Sequence, residues 1–557
     1  MLEPIRVKTT LTAPVYSLPG IPKSRGYLHP FWDGTSFLYG VGEKPRTLIE
    51  LAMCSLSAKI RSTNNWFNHY SEPEFRQGWL NDFVDKPFLI QSPIGETSIS
   101  LNQKQVEYVL DELSGYAALR SPSVGWHVSC FDRIWESTSL IPPELQLLLF
   151  SELSSILRQE EDGGHRYNTD GDLTPICKPA TPSEHTYATS FKSAWIPTPF
   201  TISPSNKPHQ ASRLSYINGI DPCRLHLYSL IEDCLTRSIP LFEHVLADLH
   251  RNNPLHQRIK GHCRYTEWNE PEEPEYSDDE EGWLNYEREV RQWALQRPLE
   301  VPDIPESGYP GGIDYRKYTV SLRGTTIKVI VRATDISLKP DSPTPFTGTT
   351  WHVEGMKNER IVACVFHCLS TVNIHPPSIE FRMAMCSPNK FVPGDEGATV
   401  RTWGLTNFSP ANQYLGSVQL QAGFSIAFPN LYQHRLTEAT LEDPTKEGSA
   451  TILSFLLVDP DLSPVENDGV DPECIPSTLN IPPQQKEWME KATEENLDVR
   501  LPTEVVEKII EMVEGVMTRE EASVYAEAMK KERERFWGIH DERWFCLPFD
   551  IWAGIGQ

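Results

Sequence analysis

The chain lacks long apolar runs, a secretory leader and closely paired cysteines. Its 557 residues contain no run of about 18 apolar residues, the length that a membrane-spanning helix requires. The first 17 residues carry Glu3, Arg6 and Lys8 without an apolar signal-peptide core, so we expect no secretion. The eleven cysteines include no Cys-x-x-Cys pair, which argues against a zinc ribbon or a thioredoxin-type site. No internal repeat is visible.

Positive charge is scarce. The chain has 51 Lys and Arg against 76 Asp and Glu, a formal net charge of −25. Such a surface repels phosphate backbones and anionic lipids, so we expect neither nucleic acid nor a membrane as a partner. An odd cysteine count without a leader predicts reduced thiols, and hence an acidic cytoplasmic protein.

Composition divides the chain into four segments. Its length predicts two or more lobes, or one elaborated domain. The segments are a mixed helical and loop region at 1–190, a helical region with an acidic loop at 191–310, a strand-rich core at 311–482 and C-terminal helices at 483–557.

Helical periodicity is clearest outside the strand-rich segment. A long amphipathic helix is predicted at about 224–250, and Pro240 is predicted to break or kink it. The acidic stretch 267–281 predicts a surface loop. Shorter helices are predicted at 103–115, 143–157, 504–514 and 518–536, the last with a capping-box pattern at its start.

Strand signals cluster between residues 315 and 460. Six runs are rich in β-branched residues or alternate in polarity: 326–332, 360–369, 379–384, 417–422, 424–428 and 451–458. So many strands in one segment predict a β-sandwich or barrel of jelly-roll type. The predicted fold class is therefore α+β, a jelly-roll core with extensive flanking helices.

His352 and Glu354 are the most informative pair of residues. On a β-strand, His-x-Glu puts an imidazole and a carboxylate on one face, because side chains alternate with period two. A distant histidine from another strand, His434, can complete a set of two histidines and one carboxylate. Such a set leaves coordination positions open and suits non-haem Fe(II). Spacing alone leaves open that both histidines have ordinary structural roles.

An ordered series of motifs resembles a family of large fungal proteins of unknown function, whose core is similar to Fe(II)/2-oxoglutarate oxygenases. The series runs from about residue 190 to 490 and includes His-Val-Glu-Gly-Met-Lys-Asn-Glu at 352–359 and Phe-Pro-Asn-Leu-Tyr-Gln-His-Arg at 428–435. The resemblance implies a double-stranded β-helix with His352, Glu354 and His434 as iron ligands, and 2-oxoglutarate and O2 as co-substrates.

The chain departs from that pattern at one position. Relatives usually carry a basic pair at the start of the last core strand, where this chain has Gly-Ser-Ala-Thr at 448–451. A 2-oxoglutarate carboxylate needs a cation, ideally the fork of an arginine. We expect Arg382 to supply it, with Lys446 and Arg435 as weaker candidates.

Four further residues near these motifs are candidates for lesser roles. Glu359 is predicted to orient a metal ligand from behind. Phe346, Arg332 and Asp335 are predicted to line the substrate site. The alternative roles are a solvent-facing side chain for Glu359 and core packing for Phe346.

The resemblance implies oxidation of a small molecule in specialised metabolism. Hydroxylation, desaturation or oxidative cyclisation of an amino acid, such as aziridine formation, would each fit. Two alternatives remain open at this point: an inactive binding or scaffold protein on the same fold, and a metal-dependent hydrolase or isomerase of cupin type.

Overall fold

A computed structural model gives the architecture of most of the chain. It describes residues 27–31, 42–161, 186–204, 210–266, 269–340, 346–388, 393–461, 484–485 and, with short gaps, 502–555. The predicted helix at 504–514 lies partly outside these residues.

Nine α-helices are described. They are α1 Leu48–Arg61, α2 Trp66–His69, α3 Pro73–Phe83, α4 Gln103–Leu119, α5 Pro143–Glu161, α6 Leu225–Leu249, α7 Glu280–Gln296, α8 Glu396–Trp403 and α9 Arg519–His540. A π-helical turn, Asp541–Phe545, extends α9. Within the described part of the chain, no helix combines the length and apolar character needed to cross a membrane.

Strands occur throughout the described residues. They are β1 Pro87–Ser92, β2 Gly95–Ser100, β3 His127–Val128, β4 Trp135–Ser137, β5 Thr198–Ile202, β6 Ala211–Arg213, β7 Arg264–Tyr265, β8 Leu299–Glu300, β9 Thr326–Leu338, β10 Ile361–Val372, β11 Ile374–His375, β12 Ser378–Ala384, β13 Asn412–Gln419, β14 Ser425–Pro429, β15 Gln433–Leu436, β16 Thr440–Leu441, β17 Gly448–Val458, β18 Gln484–Gln485, β19 Val516–Met517, β20 Phe549–Asp550 and β21 Gly554–Ile555.

Two antiparallel sheets form the centre of the molecule. The larger has eight strands in the order β3-β4-β14-β10-β17-β9-β5-β6, and the smaller has three in the order β13-β12-β15. Phe428 of the larger sheet and Phe381 of the smaller pack edge to face, with ring centroids 5.1 Å apart. The two sheets therefore face each other across a shared apolar layer.

The eight-stranded sheet is covered on both faces. Ile330, Phe366 and Leu456 point to the layer shared with the smaller sheet. Their odd-numbered neighbours, such as Val365 and Phe455, belong to a second cluster that contains the apolar side of α6. Because side chains alternate along a strand, a central strand covered on both sides is apolar at nearly every position. This accounts for the uninterrupted burial of β14 and of most of β10 and β17.

The mixture of helices with a large antiparallel sheet agrees with the predicted α+β class, while jelly-roll connectivity stays a prediction. All six predicted strand regions contain strands, although the one predicted at 417–422 runs instead from Asn412 to Gln419. Side chains from all four predicted segments contribute to one hydrophobic cluster.

Of the two predicted effects of Pro240 on the long helix, a break or a kink, the break is wrong. α6 continues from Leu225 to Leu249 with Pro240 inside it. An interior proline costs a helix about 3 kcal/mol. Ile239, Leu241 and Phe242 beside it are completely buried, and each such side chain contributes roughly 1.5–3 kcal/mol. Burial on both sides of the proline therefore outweighs its cost.

The acidic stretch ends in a helix that the sequence analysis did not predict. Residues 269–279 form no helix or strand, and α7 begins at Glu280 after Asp279 accepts a hydrogen bond from the Gly282 amide. Trp283, Val290 and Trp293 recur at helical spacing along α7, although the structure buries none of its residues.

Candidate metal centre

His352, Glu354 and His434 meet in the space between the two sheets. One ligand atom from each lies within 4.8 Å of the others, and all three side chains are buried. Main-chain hydrogen bonds of 3.1 and 2.9 Å join His352 to His434, which lies on β15. The expectation that His352 and Glu354 belong to a regular strand is wrong, because pairing stops after this one bridge and the chain turns at Gly355.

Hydrogen bonding selects the atoms that can bind a metal. His352 Nδ1 lies 2.7 Å from the Thr350 carbonyl oxygen and donates to it, which leaves the Nε2 lone pair available. His434 Nε2 lies 3.5 Å from Glu354 Oε1. The two imidazole rings are 4.4 Å apart between centroids. Two nitrogens and a carboxylate thus converge on one point.

Electrostatics keep His352 and Glu354 in the protonation states that coordination requires. Burial, assisted by the neighbouring His434, lowers the pKa of His352 to about 3. Burial alone would raise the pKa of the Glu354 carboxyl, but the Arg332 guanidinium and the histidines outweigh it and hold that pKa well below its ordinary value. A neutral His352 and an ionised Glu354 are the forms that bind a cation.

Asn430 fixes the main chain of Glu354. Its side-chain oxygen accepts from the Glu354 amide at 2.8 Å, and its amide donates to the carbonyls of Glu354 at 2.8 Å and Ile361 at 3.0 Å. Asn430 is completely buried. Sequence reasoning assigned it no role, although it lies inside the motif that carries His434.

Glu359 stabilises the turn that follows Glu354 through hydrogen bonds. Its Oε2 accepts from the Met356 amide at 2.6 Å. Its Oε1 accepts from the Trp195 amide at 3.0 Å and from the Arg533 guanidinium. The residue predicted to orient a ligand therefore connects the turn to two distant segments.

Arg332 is the cation nearest to the triad. Its Nη1 and Nη2 donate to the two oxygens of Glu354 at 2.8 and 2.5 Å. Its guanidinium lies 5.4 Å from the ring of Trp195, and Arg533 lies 3.9 Å from the same ring. Trp537 lies on the other side of the site, 4.5 Å from the His352 ring. Sequence analysis identified only Arg332 of these four residues.

Several buried donors around the triad have no hydrogen-bond partner among the described residues. They are Arg332 Nε, Arg533 Nε and Nη1, and Trp537 Nε1. Buried donors without acceptors are uncommon and costly. A ligand rich in acceptor oxygens, such as a 2-oxo acid, would satisfy them.

The three cations predicted for the co-substrate lie elsewhere. Phe381 pairs with His434 and Arg382 pairs with Gln433, so alternation puts Arg382 on the opposite face of the small sheet from His434. There it bonds to Gln433 and Asp541. Arg435 shares that outer face and pairs with Glu380. Lys446 is exposed and pairs with Asp443.

One of the residues predicted for the substrate points away from the metal ligands. Asp335 is three positions from Arg332 on β9, so it points to the other face, where Thr451 Oγ1 donates to it at 2.6 Å. Phe346 is partly buried against the layer between the sheets. Of the three residues in this group, Arg332 is the one that forms hydrogen bonds with the triad in the described part of the chain.

Solved structures resemble the chain weakly. A selenomethionine-labelled Fe(II)/(alpha)ketoglutarate-dependent dioxygenase, TqaL, matches 32% of this chain at 10% identity with a TM-score of 0.16. EvdO2 from Micromonospora carbonacea var. aurantiaca matches 23% at 8% identity with a TM-score of 0.13. Each match spans about half, 52%, of the solved chain. A search of curated proteins finds no match.

A family model covers more of the sequence. The model described as "Protein of unknown function (DUF4246)" matches residues 139–492. This interval is more than half of the chain and contains the whole triad, Asn430 and Arg332. The chain therefore belongs to the DUF4246 family of proteins of unknown function.

Proposed function

We propose that this protein is a non-haem Fe(II)/2-oxoglutarate-dependent oxygenase of small molecules. The observation that carries the proposal is the buried convergence of His352, Glu354 and His434. Two imidazoles and one carboxylate are the donor set typical of Fe(II) sites that keep open positions. The motif series noted in the sequence favours the same chemistry and a double-stranded β-helix around it.

The proposed ligands are His352 Nε2, a Glu354 oxygen and His434. Iron with a 2-oxo acid and O2 would supply the oxidising power. The protein holds Glu354 through Asn430 and Arg332, and it orients His352 through the Thr350 carbonyl. The apolar layer between the sheets keeps water from the ligands.

We further propose that the co-substrate carboxylates are bound by the donors beside Trp195 and Trp537. Arg332 Nε and Arg533 Nη1 have no partners among the described residues, and arginine suits carboxylates. This assignment uses Arg332 in place of Arg382, whose guanidinium is occupied on the outer face of the sheet. Arg332 and Arg533 would then supply the positive charge that relatives carry as a basic pair at the start of β17.

Anaerobic titration with Fe(II), with and without 2-oxoglutarate, tests the proposal. We expect a weak visible charge-transfer band only when both are present, as chelation of iron by the oxo acid requires. His352→Ala should abolish the band and weaken Fe(II) binding by about 100-fold or more, since loss of even an outer partner of a ligand costs 10–100-fold. His375→Ala, an exposed histidine in the same region, is the matched control.

Three outcomes would contradict the assignment. A band retained in His352→Ala would show that iron binds elsewhere. Tight Fe(II) binding without any effect of 2-oxoglutarate would favour a hydrolase or isomerase of cupin type. Failure of the folded wild-type protein to bind Fe(II) would favour a binding or scaffold protein.

A further inference from the structure

A cavity that the triad does not line has a volume of about 700 Å³. Its wall is built by the segment around Glu43–Arg46, the chain after α6, the loop at 305–317 and the end of β12. The volume falls in the range of roughly 300–1,000 Å³ that is usual for sites of small organic ligands.

The wall of this cavity is cationic in a strongly acidic chain. Eight lining residues are lysine or arginine and three are aspartate or glutamate. Adding Glu50 and Glu112, which pair with lining arginines from behind, still leaves an excess of three cations. Positive charge is therefore concentrated around this cavity, in a chain whose formal net charge is −25.

Four arginines form the fixed part of the wall. Their ion pairs are Arg46–Glu50, Arg133–Glu43, Arg258–Glu112 and Arg316–Asp248. Arg46, Arg133 and Arg258 are each at least 95% buried. These arginines are neutralised by carboxylates, so they position the wall without supplying its excess charge.

The excess charge belongs to four exposed cations at the opening. They are Lys44, Arg251, Lys260 and Lys317. None of them forms an ion pair with a residue in the described part of the chain. Three of the four are lysines, compact point charges of the kind that bind phosphate.

Four buried polar atoms of the wall lack hydrogen-bond partners among the described residues: Arg46 Nε, His256 Nε2, Trp544 Nε1 and Asp132 Oδ2, the last of which lies 3.7 Å from Arg258 Nη1. Arg46 is 2% exposed. Burial, followed by the charge of Arg258, lowers the pKa of His256 to about 4, so its imidazole adds no positive charge to the wall near neutral pH. The nitrogens of Arg46 and His256 would be satisfied by a polar ligand in the cavity.

The remainder of the wall is apolar and aromatic. Leu255, Leu431, Met383 and Trp544 line it together with Tyr108. We propose that this cavity binds a small organic anion that carries a phosphate group on an aromatic or apolar body. The phosphate lies among the cations at the opening, and the body packs against Trp544 and its neighbours. Long polyanions are disfavoured by the negative charge of the surrounding surface.

Pyridoxal 5′-phosphate is a suitable probe because its aldehyde forms an imine with a nearby lysine, releasing water, and borohydride fixes the imine as an amine. We expect peptide mass spectrometry to find Lys44, Lys260 or Lys317 labelled about tenfold or more above Lys531, an exposed lysine of α9. Pyridoxal, which has the aldehyde without the phosphate, is the matched reagent and should show no such preference. Excess pyrophosphate should protect the cavity lysines.

Charge reversal gives an independent test. The double variant Lys44→Glu with Lys260→Glu should weaken binding of pyridoxal 5′-phosphate about tenfold or more, while Lys531→Glu leaves it unchanged. Both cavity lysines are exposed, so circular dichroism should match the wild type. Equal labelling by both reagents, or of Lys531, would overturn the site. Protection by citrate equal to that by pyrophosphate would overturn the phosphate assignment. Because the triad does not line this cavity, neither result depends on iron binding.

Discussion

At the residue scale, Arg332 neutralises the charge of the Glu354 carboxylate, as a bound metal ion would. The Glu354 carboxylate is fully buried and receives both Nη donors of Arg332. We expect Arg332→Met to destabilise the metal-free protein by about 2 kcal/mol, below the 3–5 kcal/mol of a fully buried pair because solvent reaches Arg332. Saturating Mn(II) should restore most of the loss by neutralising the carboxylate. Denaturant unfolding with and without Mn(II) measures both effects.

Arg382→Met is the matched control for that experiment. Its guanidinium pairs with Asp541 on the outer face of the small sheet. The Arg382→Met substitution should also lower the free energy of unfolding, but Mn(II) should not reverse the loss. A loss of unfolding free energy in Arg332→Met that Mn(II) does not reverse would contradict the view that the arginine and the metal neutralise the same carboxylate.

Asn430 provides a second test at this scale. Asn430→Ala removes four hydrogen bonds, two of them to the Glu354 main chain and one a long contact from Cys364 Sγ. Leaving those buried groups unsatisfied should cost about 2–3 kcal/mol in the free energy of unfolding. It should also weaken Mn(II) binding about tenfold. Asn412→Ala, which removes a bond to the Phe545 carbonyl, should lower stability less and leave Mn(II) affinity unchanged.

The sequence permitted prediction of the ligand types and, among the residues that support them, of Glu359. His352, Glu354 and His434 were recognisable because their side chains suit a metal and their motifs are ordered along the chain. Arg533 and Trp537 come from α9, which begins far beyond Glu354 in the chain. No spacing rule relates such distant residues, so only the fold could bring them to the site.

At the scale of elements, the turn after Glu354 ends the short pairing with β15. Gly355 has φ of +71°, and a Cβ there would lie 2.7 Å from Ile361 Cδ1. We expect Gly355→Ala to destabilise the protein by about 1–3 kcal/mol, because both the backbone and the packing resist it. Thermal unfolding and Mn(II) titration should show lower stability together with weaker metal binding.

Gly538→Ala is the opposite case. It lies in α9, where an added Cβ meets nothing within 4 Å. Replacing a helical glycine with alanine should stabilise the protein by roughly 0.5–1 kcal/mol. If Gly355→Ala stabilised the protein as Gly538→Ala is expected to do, the view that the turn positions Glu354 would be wrong.

Prediction succeeded for elements whose burial is periodic or whose residues are β-branched. It could not decide which face of β10 or β17 holds the site, because these strands are buried on both sides, against the cluster that contains α6 and against the layer shared with the small sheet. A strand that is apolar on both sides carries no sign of orientation. β9 is only partly buried around Arg332 and Asp335, and alternation along the strand separates these two residues, which the sequence analysis had placed together.

At the scale of the whole molecule, composition concealed the distribution of charge. The net charge of −25 predicted an acidic surface, and it gave no sign that eight cations line one cavity. Those cations come from separate stretches of the chain, so their clustering is a property of the fold alone.

Arg258 connects segments that composition had separated, and its removal makes a test with a defined pH dependence. Its guanidinium bonds to Glu112 and Tyr116 of α4, its amide donates to Glu50 of α1, and Asp132 lies 3.7 Å away. Arg258→Met would leave buried carboxylates without their cation, at a cost of about 3–5 kcal/mol near neutral pH.

The sign of the pH dependence follows from the two carboxyls. Burial raises the pKa of Glu112 and Arg258 opposes that rise; burial also acts to raise the pKa of Asp132, but Arg258 and His256 bring it down to about 2. Without Arg258 both folded-state pKa values should rise, so the folded variant binds more protons than the wild type. The loss of unfolding free energy in Arg258→Met, relative to the wild type, should therefore become smaller as pH falls from 8 to 5. Arg76→Met, whose pair with Asp111 is largely exposed, should cost under about 1 kcal/mol at either pH. Urea unfolding at both pH values measures this, and a deficit for Arg258→Met that grew toward pH 5 would contradict the proposed ion-pair network.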